Sequence, residues 1–188
     1  MRKLILQMQM SIDGFVSAGP ADDQQWITWA WEEIRPQVSA LLEGSDTILI
    51  GRKLAEDYIP YWMDVATQPD HEMYETGLRI AAARKVVFTK TYAASIWENT
   101  ALATGELTEE VNRLKQQPGK DLIIYGGTSF VAALIKAGLI DEFNLFVNPV
   151  ALGHGDPVFH LLNRHLSLKL KNSIAYNSGI VLLQYGNI

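Results

Sequence analysis

The sequence predicts an α/β fold with a mostly parallel central sheet and antiparallel strands towards its C-terminal end. Short apolar runs alternate with helical patterns through the first 140 residues or so, which is typical of parallel strands buried on both faces. Closely spaced β-rich segments then follow, and this spacing favours antiparallel pairing. Since no repeat, low-complexity tract or composition shift divides the 188 residues, we expect a single domain over residues 1–188.

The predicted parallel strands begin with Lys3–Met10, where every second side chain from Leu4 onwards is apolar. The apolar runs that predict central strands are Thr47–Ile50, Val86–Phe88 and Leu122–Tyr125. The later β-rich segments are Glu142–Val150, Leu166–Ala175 and Ile180–Tyr185. Asn177-Ser178-Gly179 is typical of a hairpin turn between the last two.

Apolar residues at helical spacing predict the helices Gln25–Leu42, Glu72–Ala83, Glu106–Gln117 and Thr128–Ala137. Pro36 should kink or split the first of these helices, because proline removes a backbone donor. Gly138 is placed to end the fourth. Residues 58–71, rich in aromatic residues and proline, are expected to form an irregular loop, either a lid over a site or a loop that packs its own aromatic side chains.

Composition excludes several classes of function. The chain has no cysteine, so it has no thiolate nucleophile, disulfide or cysteine-bound zinc. A net charge of −5 and the absence of a basic cluster argue against nucleic acid as a partner. No apolar run approaches the roughly 20 residues of a membrane-spanning helix, and we expect a cytoplasmic protein. The four histidines lack the spacing of metal ligands, so no metal is predicted.

The glycine pair after the third apolar run is the first candidate ligand site. In Gly126-Gly127-Thr128-Ser129 the glycines allow a close backbone approach, and the following helix would present unpaired N–H groups to an anion. Thr128 and Ser129 would add hydroxyl donors. A capped turn with glycines chosen for packing is the competing interpretation.

Two further strand ends carry residues that suit a phosphate ligand. Gly51-Arg52 can direct a planar guanidinium at phosphate oxygens, although a surface arginine at a helix start is the simpler interpretation. Thr89-Lys90 offers a hydroxyl and a cation, although taken alone it is better interpreted as a polar loop. Because ligands bind outside the carboxyl ends of strands in open α/β sheets, one extended ligand could span all three ends.

Few residues of the sequence are candidates for substrate contact or catalysis. Asp13, at the end of the first strand, could contact substrate or orient a loop, and an Asp-Gly turn is the competing interpretation. Gly153-His154-Gly155-Asp156 is either a turn or a loop that lines a cofactor. Neither G-x-S-x-G, H-E-x-x-H nor a Walker A motif is present, and no catalytic group is identified.

Taken in order, these short motifs resemble a known family. They are Met10-Ser11-Ile12-Asp13-Gly14-Phe15, Ile48-Leu49-Ile50-Gly51-Arg52, Lys85-Val86-Val87-Phe88-Thr89, Tyr125-Gly126-Gly127, Leu139-Ile140-Asp141-Glu142-Phe143, Pro149 and Gly153. The series resembles the C-terminal reductase domain of the bacterial bifunctional riboflavin-biosynthesis deaminase/reductase, a member of the dihydrofolate-reductase-like superfamily. The resemblance runs from the first strand to about Phe159. It implies a dihydrofolate-reductase-like three-layer fold.

The resemblance also implies NADPH as the cofactor. By position, Gly51 and Arg52 would bind the adenosine-side phosphates, with Arg52 favouring the 2′-phosphate. Thr89 and Lys90 would lie near the adenosine. Gly126 and Gly127 would meet the pyrophosphate, and the resemblance implies a cis peptide between them.

The nicotinamide would then lie near Gln9 and Val16, and Tyr61 and Trp62 are the candidates for a wall that stacks on substrate. The deaminase motifs H-x-E and P-C-x-x-C are absent. The sequence therefore predicts an NADPH-dependent reductase of a small pyrimidine- or pterin-like substrate, as a homodimer. The alternatives are a non-catalytic nucleotide-binding module of the same fold and a dimeric structural or interaction protein.

Overall fold

The structure, a computed structural model, describes residues 1–188. Along the chain the elements are β1 (Leu4–Ser11), α1 (Trp31–Glu43), β2 (Ser45–Gly51), α2 (Arg52–Val65), α3 (Tyr74–Ala82), β3 (Arg84–Phe88), β4 (Thr100–Ala103), α4 (Leu107–Gln116), β5 (Asp121–Ile124), α5 (Thr128–Lys136), β6 (Glu142–Asn148), β7 (Leu168–Ala175) and β8 (Val181–Asn187). None of these helices is long and apolar enough to cross a membrane.

The chain forms two compact units. The first unit comprises Met1–Arg2 and Val38–Gly127, and the second comprises Lys3–Gln37 and Thr128–Ile188. In the first unit the strand order is β4-β3-β2-β5, and neighbouring strands run parallel. In the second unit the order is β1-β6-β8-β7, with β1 and β6 parallel and the remaining pairs antiparallel. The predicted change from parallel to antiparallel strands is confirmed.

The strands of the first unit form its core. Ile48, Leu49 and Ile50 of β2 are almost fully buried, as apolar runs in parallel sheets generally are. Helix α2 packs Ala55 and Ile59 against Ile50 and Val87 of the strands below it. This contact holds α2 against β2 and β3.

In the second unit the alternation in β1 buries Leu4, Leu6, Met8 and Met10, as predicted. Strand β7 is the outermost strand of this unit, and its side chains are mostly exposed. The hairpin turn predicted at Asn177-Ser178-Gly179 is confirmed. The Gly179 N–H donates to the carbonyl oxygen of Tyr176 at 3.0 Å, and Gly179 has a φ of +89°, which suits glycine.

The first predicted helix is shorter than the sequence pattern indicated. Helix α1 begins at Trp31 and not near Gln25. Trp29 has a φ of +47°, and the Thr28 N–H donates to the Asn148 side chain at 2.9 Å, so tertiary contacts hold these residues outside the helix. Pro36 lies inside α1 without splitting it.

The prediction of an irregular loop over residues 58–71 is wrong for its first half. Helix α2 continues to Val65 with Pro60 inside it. Ala55, Ile59 and Val65 are buried, so burial of one face outweighs the cost of the proline. Strand β4 was not predicted, because Thr100–Ala103 is only four residues long and lacks an apolar β-branched run.

Candidate functional site

Three parallel strand ends meet at one edge of the first unit. In the β2–β3 pairing Gly51 lies opposite Phe88, and in the β2–β5 pairing Leu49 lies opposite Ile124. The residues that follow each strand are therefore level on neighbouring strands, which lie about 4.8 Å apart. We call this set, Gly51-Arg52, Thr89-Lys90 and Gly126-Gly127, the carboxyl edge. The predicted alignment of the three strand ends is confirmed.

Helix α2 starts at the carboxyl edge with no side-chain cap. Gly51 is its N-cap residue, with extended backbone angles and no side chain to accept the first N–H groups. The first turn of α2 contains no acidic residue. Because the first N–H groups of a helix lack backbone partners and the helix dipole is positive there, this end suits an anion.

The glycine pair follows β5 at the same edge. The peptide bond between Gly126 and Gly127 is cis, which confirms the prediction. A Cβ added to Gly127 would have one heavy atom within 4 Å, the Cβ of Leu54 at 3.8 Å, so the backbone here faces open space. Helix α5 begins directly afterwards at Thr128, also without an acidic residue in its first turn. Ser129 is exposed and Thr128 half-buried.

Arg52 is held by an acidic neighbour. Its guanidinium Nη1 donates to the Glu56 carboxylate at 2.6 Å, one helical turn further along α2. The Tyr92 hydroxyl donates to the same carboxylate oxygen, also at 2.6 Å. These contacts, the Tyr92 bond above all, hold the pKa of Glu56 below its usual value, while Glu56 raises the pKa of Arg52. Both side chains are therefore charged at neutral pH.

Thr89 and Lys90 lie at the edge, but both polar groups have partners within the first unit. The Thr89 hydroxyl oxygen accepts the backbone N–H groups of Thr91 at 3.1 Å and Tyr92 at 3.3 Å. The Lys90 ammonium donates to the carbonyl oxygens of Thr104 and Gly105, each at 2.8 Å. Thr89 thus shapes the loop after β3.

Four aromatic rings form a connected cluster in the first unit. Tyr58 and Tyr125 stack with ring centroids 5.6 Å apart, Tyr58 contacts Trp62 at 6.0 Å, and Tyr61 meets Trp62 edge-on at 5.2 Å. The hydroxyls of Tyr58 and Tyr125 are buried without a hydrogen-bond partner, and burial raises the pKa of both phenols. Tyr125 directly precedes the glycine pair, so the cluster runs from the carboxyl edge along α2.

In the second unit, the Asp13 carboxylate is hydrogen-bonded to other residues of the chain. Its carboxylate oxygens accept the Ser11 hydroxyl at 2.5 Å and the backbone N–H groups of Leu152 at 3.1 Å and Gly153 at 2.7 Å. The Ser11 bond is the largest of the causes that lower the pKa of Asp13 from 3.8 to about 2. Asp13 thereby ties the end of β1 to the loop after β6.

Gln9 also has a partner within the second unit. Its side-chain oxygen accepts from the Asn148 amide nitrogen at 2.9 Å, while the Asn148 oxygen accepts the Thr28 N–H at 2.9 Å. Asn148 is fully buried. These bonds join β1, β6 and the segment before α1.

Val16 belongs to a short stretch that pairs with the loop after β6. Its N–H donates to the Asp156 carbonyl oxygen at 3.0 Å, and the Asp156 N–H donates to Ser17 at 2.9 Å. A Cβ on Gly155 would lie 2.0 Å from the Ser17 carbonyl oxygen, so this position requires glycine. The Gly153–Asp156 segment is therefore a turn that packs against residues 15–17.

Sequence reasoning missed five residues of these arrangements: Glu56, Tyr58, Tyr92, Tyr125 and Asn148. Glu56 follows Arg52 by four residues, and Tyr58 precedes Trp62 by four, which are the spacings of neighbours on a helix. The spacing of Tyr58 and Trp62 did not lead to a helix prediction, because residues from 58 onwards were expected to form a loop. Tyr92 and Asn148 carry no local signal, since their partners are 36 and 120 residues away. No group of three or more acidic or histidine side chains is arranged to hold a metal ion.

Comparison with known proteins assigns the family. The model of the RibD C-terminal domain matches residues 2–182, and the chain belongs to that family. The uncharacterized protein YyaP of Bacillus subtilis is 34% identical over 187 residues, which is 98% of this chain and 94% of YyaP. The resemblance identified in the sequence is therefore confirmed.

Solved structures show the same fold. A protein of Shewanella sp. PV-4, whose name places it in riboflavin biosynthesis, superposes with a TM-score of 0.73 at 19% identity, over 100% of this chain and 99% of the other. The diaminohydroxyphosphoribosylaminopyrimidine deaminase/5-amino-6-(5-phosphoribosylamino)uracil reductase of Thermotoga maritima gives 0.71 at 17% identity. The match covers 100% of this chain but 57% of the Thermotoga protein, so the chain spans little more than half of that bifunctional relative.

Proposed function

We propose that this protein is an NADPH-dependent reductase of a small heterocyclic substrate, and that the carboxyl edge binds the cofactor phosphates. The observation that carries the proposal is the uncapped N-terminus of α2, which opens at Gly51 beside two further parallel strand ends. Backbone donors and a helix dipole directed at one edge are the groups that bind phosphates in α/β proteins.

The residues present fit such a cofactor. Gly127 has no side chain and faces open space, so a pyrophosphate can approach its backbone closely. Arg52 supplies a planar donor group for a phosphate, and α2 has no acidic residue in its first turn to repel one. Thr89 and Lys90 would border the adenosine, and Thr128 and Ser129 would add donors beyond the glycine pair. When bound, the cofactor supplies the hydride.

For the substrate we propose a planar, pyrimidine- or pterin-like heterocycle. The aromatic cluster supports this proposal, because flat rings stack on tyrosine and tryptophan side chains. Tyr61 is half exposed, so its ring remains available to a ligand. The reductase activity in the name of the Thermotoga maritima relative, which acts on a uracil derivative, is consistent with this class of substrate.

The candidate residues of the second unit are Asp13, Gln9 and Val16. Asp13 has three donors from its own chain, which supports the positioning of the loop after β6 among the roles expected from the sequence. A contact between Asp13 and substrate stays a prediction. Gln9 and Val16, as the predicted neighbours of the nicotinamide, remain predictions. A homodimer and a cytoplasmic location are likewise proposals, and the exposed outer strand β7 offers a surface for a second copy.

A spectrophotometric assay tests the proposal. The protein is incubated with NADPH and a panel of pterins, pyrimidine precursors of flavins and quinones, and the loss of reduced nicotinamide absorbance is followed. Turnover of one heterocycle is the expected result. NADPH binding without turnover on any compound would favour the non-catalytic nucleotide-binding module, and absence of NADPH binding would overturn both.

A further inference from the structure

The guanidinium at the carboxyl edge already pairs with a carboxylate of its own helix. Arg52 Nη1 lies 2.6 Å from Glu56 Oε1, and about a third of the arginine side chain is exposed. Glu56 lies in the second turn of α2, so its charge is on the same helix face as Arg52. A phosphate bound by Arg52 would therefore approach a carboxylate at close range.

Glu56 is also held in place from the neighbouring strand end. The Tyr92 hydroxyl donates to the same Oε1 at 2.6 Å, and the Tyr92 ring packs edge-on against Trp97 with centroids 5.7 Å apart. Because Tyr92 follows β3 and Arg52 follows β2, the carboxylate bridges two strand ends of the proposed site. Moving it aside would break both bonds.

The geometry points to Glu56, anchored by Tyr92, as a residue that determines cofactor specificity by weakening the preference of the site for a 2′-phosphate. This inference rests on the proposed function. The carboxylate competes with the phosphate for Arg52 and repels its negative charge, whereas an unphosphorylated ribose meets neither obstacle. An acidic side chain near a ribose can also accept its 2′-hydroxyl, which favours the unphosphorylated cofactor.

The test compares two nucleotides that differ only in the 2′-phosphate. Dissociation constants of NADPH and NADH are measured by titration calorimetry for the natural protein, Glu56→Gln, Tyr92→Phe and the control Asp64→Asn. Asp64 is an exposed residue of the same helix, and its carboxylate accepts a hydrogen bond from the Gln68 side chain. Replacing Asp64 by asparagine therefore removes the same charge as Glu56→Gln, two helical turns away. Glutamine keeps the size of Glu56 and an acceptor for Tyr92.

We expect Glu56→Gln to bind NADPH about 5-fold more tightly, as the loss of one exposed ion pair and one like-charge contact implies, with NADH changed less than about 2-fold. Tyr92→Phe should shift the ratio in the same direction by a smaller factor, and Asp64→Asn should leave it unchanged. An unchanged or lowered NADPH preference in Glu56→Gln would overturn the inference while leaving the cofactor proposal intact. Failure of the natural protein to bind either nucleotide would overturn both.

Discussion

The candidate residues of the two units differ in their surroundings. At the carboxyl edge of the first unit, α2 begins without a side-chain cap and Gly127 faces open space. In the second unit, Asp13, Gln9 and Asn148 are bonded to other residues of that unit. Buried side-chain polar atoms without a partner occur in both units, so they do not distinguish the two. The contrast lies in the backbone, because the first N–H groups of α2 have no side-chain cap and are available to a ligand.

The same difference separates binding residues from supporting residues. Substitutions at the carboxyl edge should weaken nucleotide binding with little loss of stability. Substitutions at the bonded side chains of the second unit should lower the free energy of unfolding. The following four variants test this contrast, beginning with the largest expected effect.

Gly127→Val should weaken NADPH binding by about 100-fold or more, equal to about 2.7 kcal/mol, because the new side chain fills the space where the backbone meets the pyrophosphate. The protein should remain folded, since the nearest atom to the added Cβ is 3.8 Å away. Fluorescence titration with NADPH and circular dichroism measure the two properties. Gly44→Ala, at the opposite end of β2, is the control and should bind normally; equal affinity for the two variants would place the pyrophosphate elsewhere.

Asn148→Ala should lower the free energy of unfolding by about 2 kcal/mol, because it leaves the Thr28 N–H and the Gln9 oxygen without their partner. Urea denaturation measures this loss. Asn172→Ala removes an exposed amide that donates to Gln184 on the neighbouring strand, and should cost well under about 1 kcal/mol. A loss for Asn148→Ala no larger than that of the control would contradict the supporting role.

Arg52→Ala should weaken NADPH binding by about 10-fold and leave NADH binding nearly unchanged, since a charge-assisted bond to the 2′-phosphate is worth roughly 1.5 kcal/mol. Calorimetric titration with both nucleotides gives the ratio. Arg79→Ala removes another arginine of the first unit that pairs with a glutamate, Glu43, and serves as the control. An equal loss for NADH and NADPH would refute the assignment of Arg52 to the 2′-phosphate.

Asp13→Asn should destabilise the protein modestly at neutral pH, and the difference from the natural protein should shrink in acid. The folded-state pKa of Asp13 is lowered from 3.8 to about 2, so its carboxylate stabilises the fold above pH 3.8. That contribution is lost as the pH falls towards 2. Urea midpoints measured between neutral pH and pH 3 test this, with the exposed carboxylate variant Asp23→Asn as control. A difference that grows in acid would contradict the assigned sign.

Local pattern predicted most of the fold. Apolar runs located β2, β3 and β5, and because parallel strands end at one edge, Gly51, Thr89 and Gly126 could be placed at the same edge of the sheet. Tertiary contacts decided the rest. Residues 25–30 follow a helical pattern, but Asn148 binds the Thr28 N–H. Pro60 is tolerated within α2 because the face of the helix that carries Ile59 is buried.

The sequence predicted the backbone features of the candidate site better than the hydrogen bonds between its side chains. Glycines at strand ends are visible in a sequence, whereas the bond from Tyr92 to Glu56 joins residues 36 positions apart. The hydrogen bonds of the Asp13 carboxylate were equally hard to predict from the sequence, since the donors Leu152 and Gly153 belong to a loop far along the chain. Such pairings depend on the folded chain and not on local spacing.

Thermal unfolding with added nucleotide tests most directly whether the carboxyl edge binds NADPH. The melting temperature is measured for the protein alone, with NADPH and with NADH. At about 100 times the dissociation constant NADPH should add about 2.7 kcal/mol of stability, which for a chain of this length raises the melting temperature by roughly 5–10 °C. NADH should give a smaller rise. No rise with either nucleotide would contradict the proposed cofactor site.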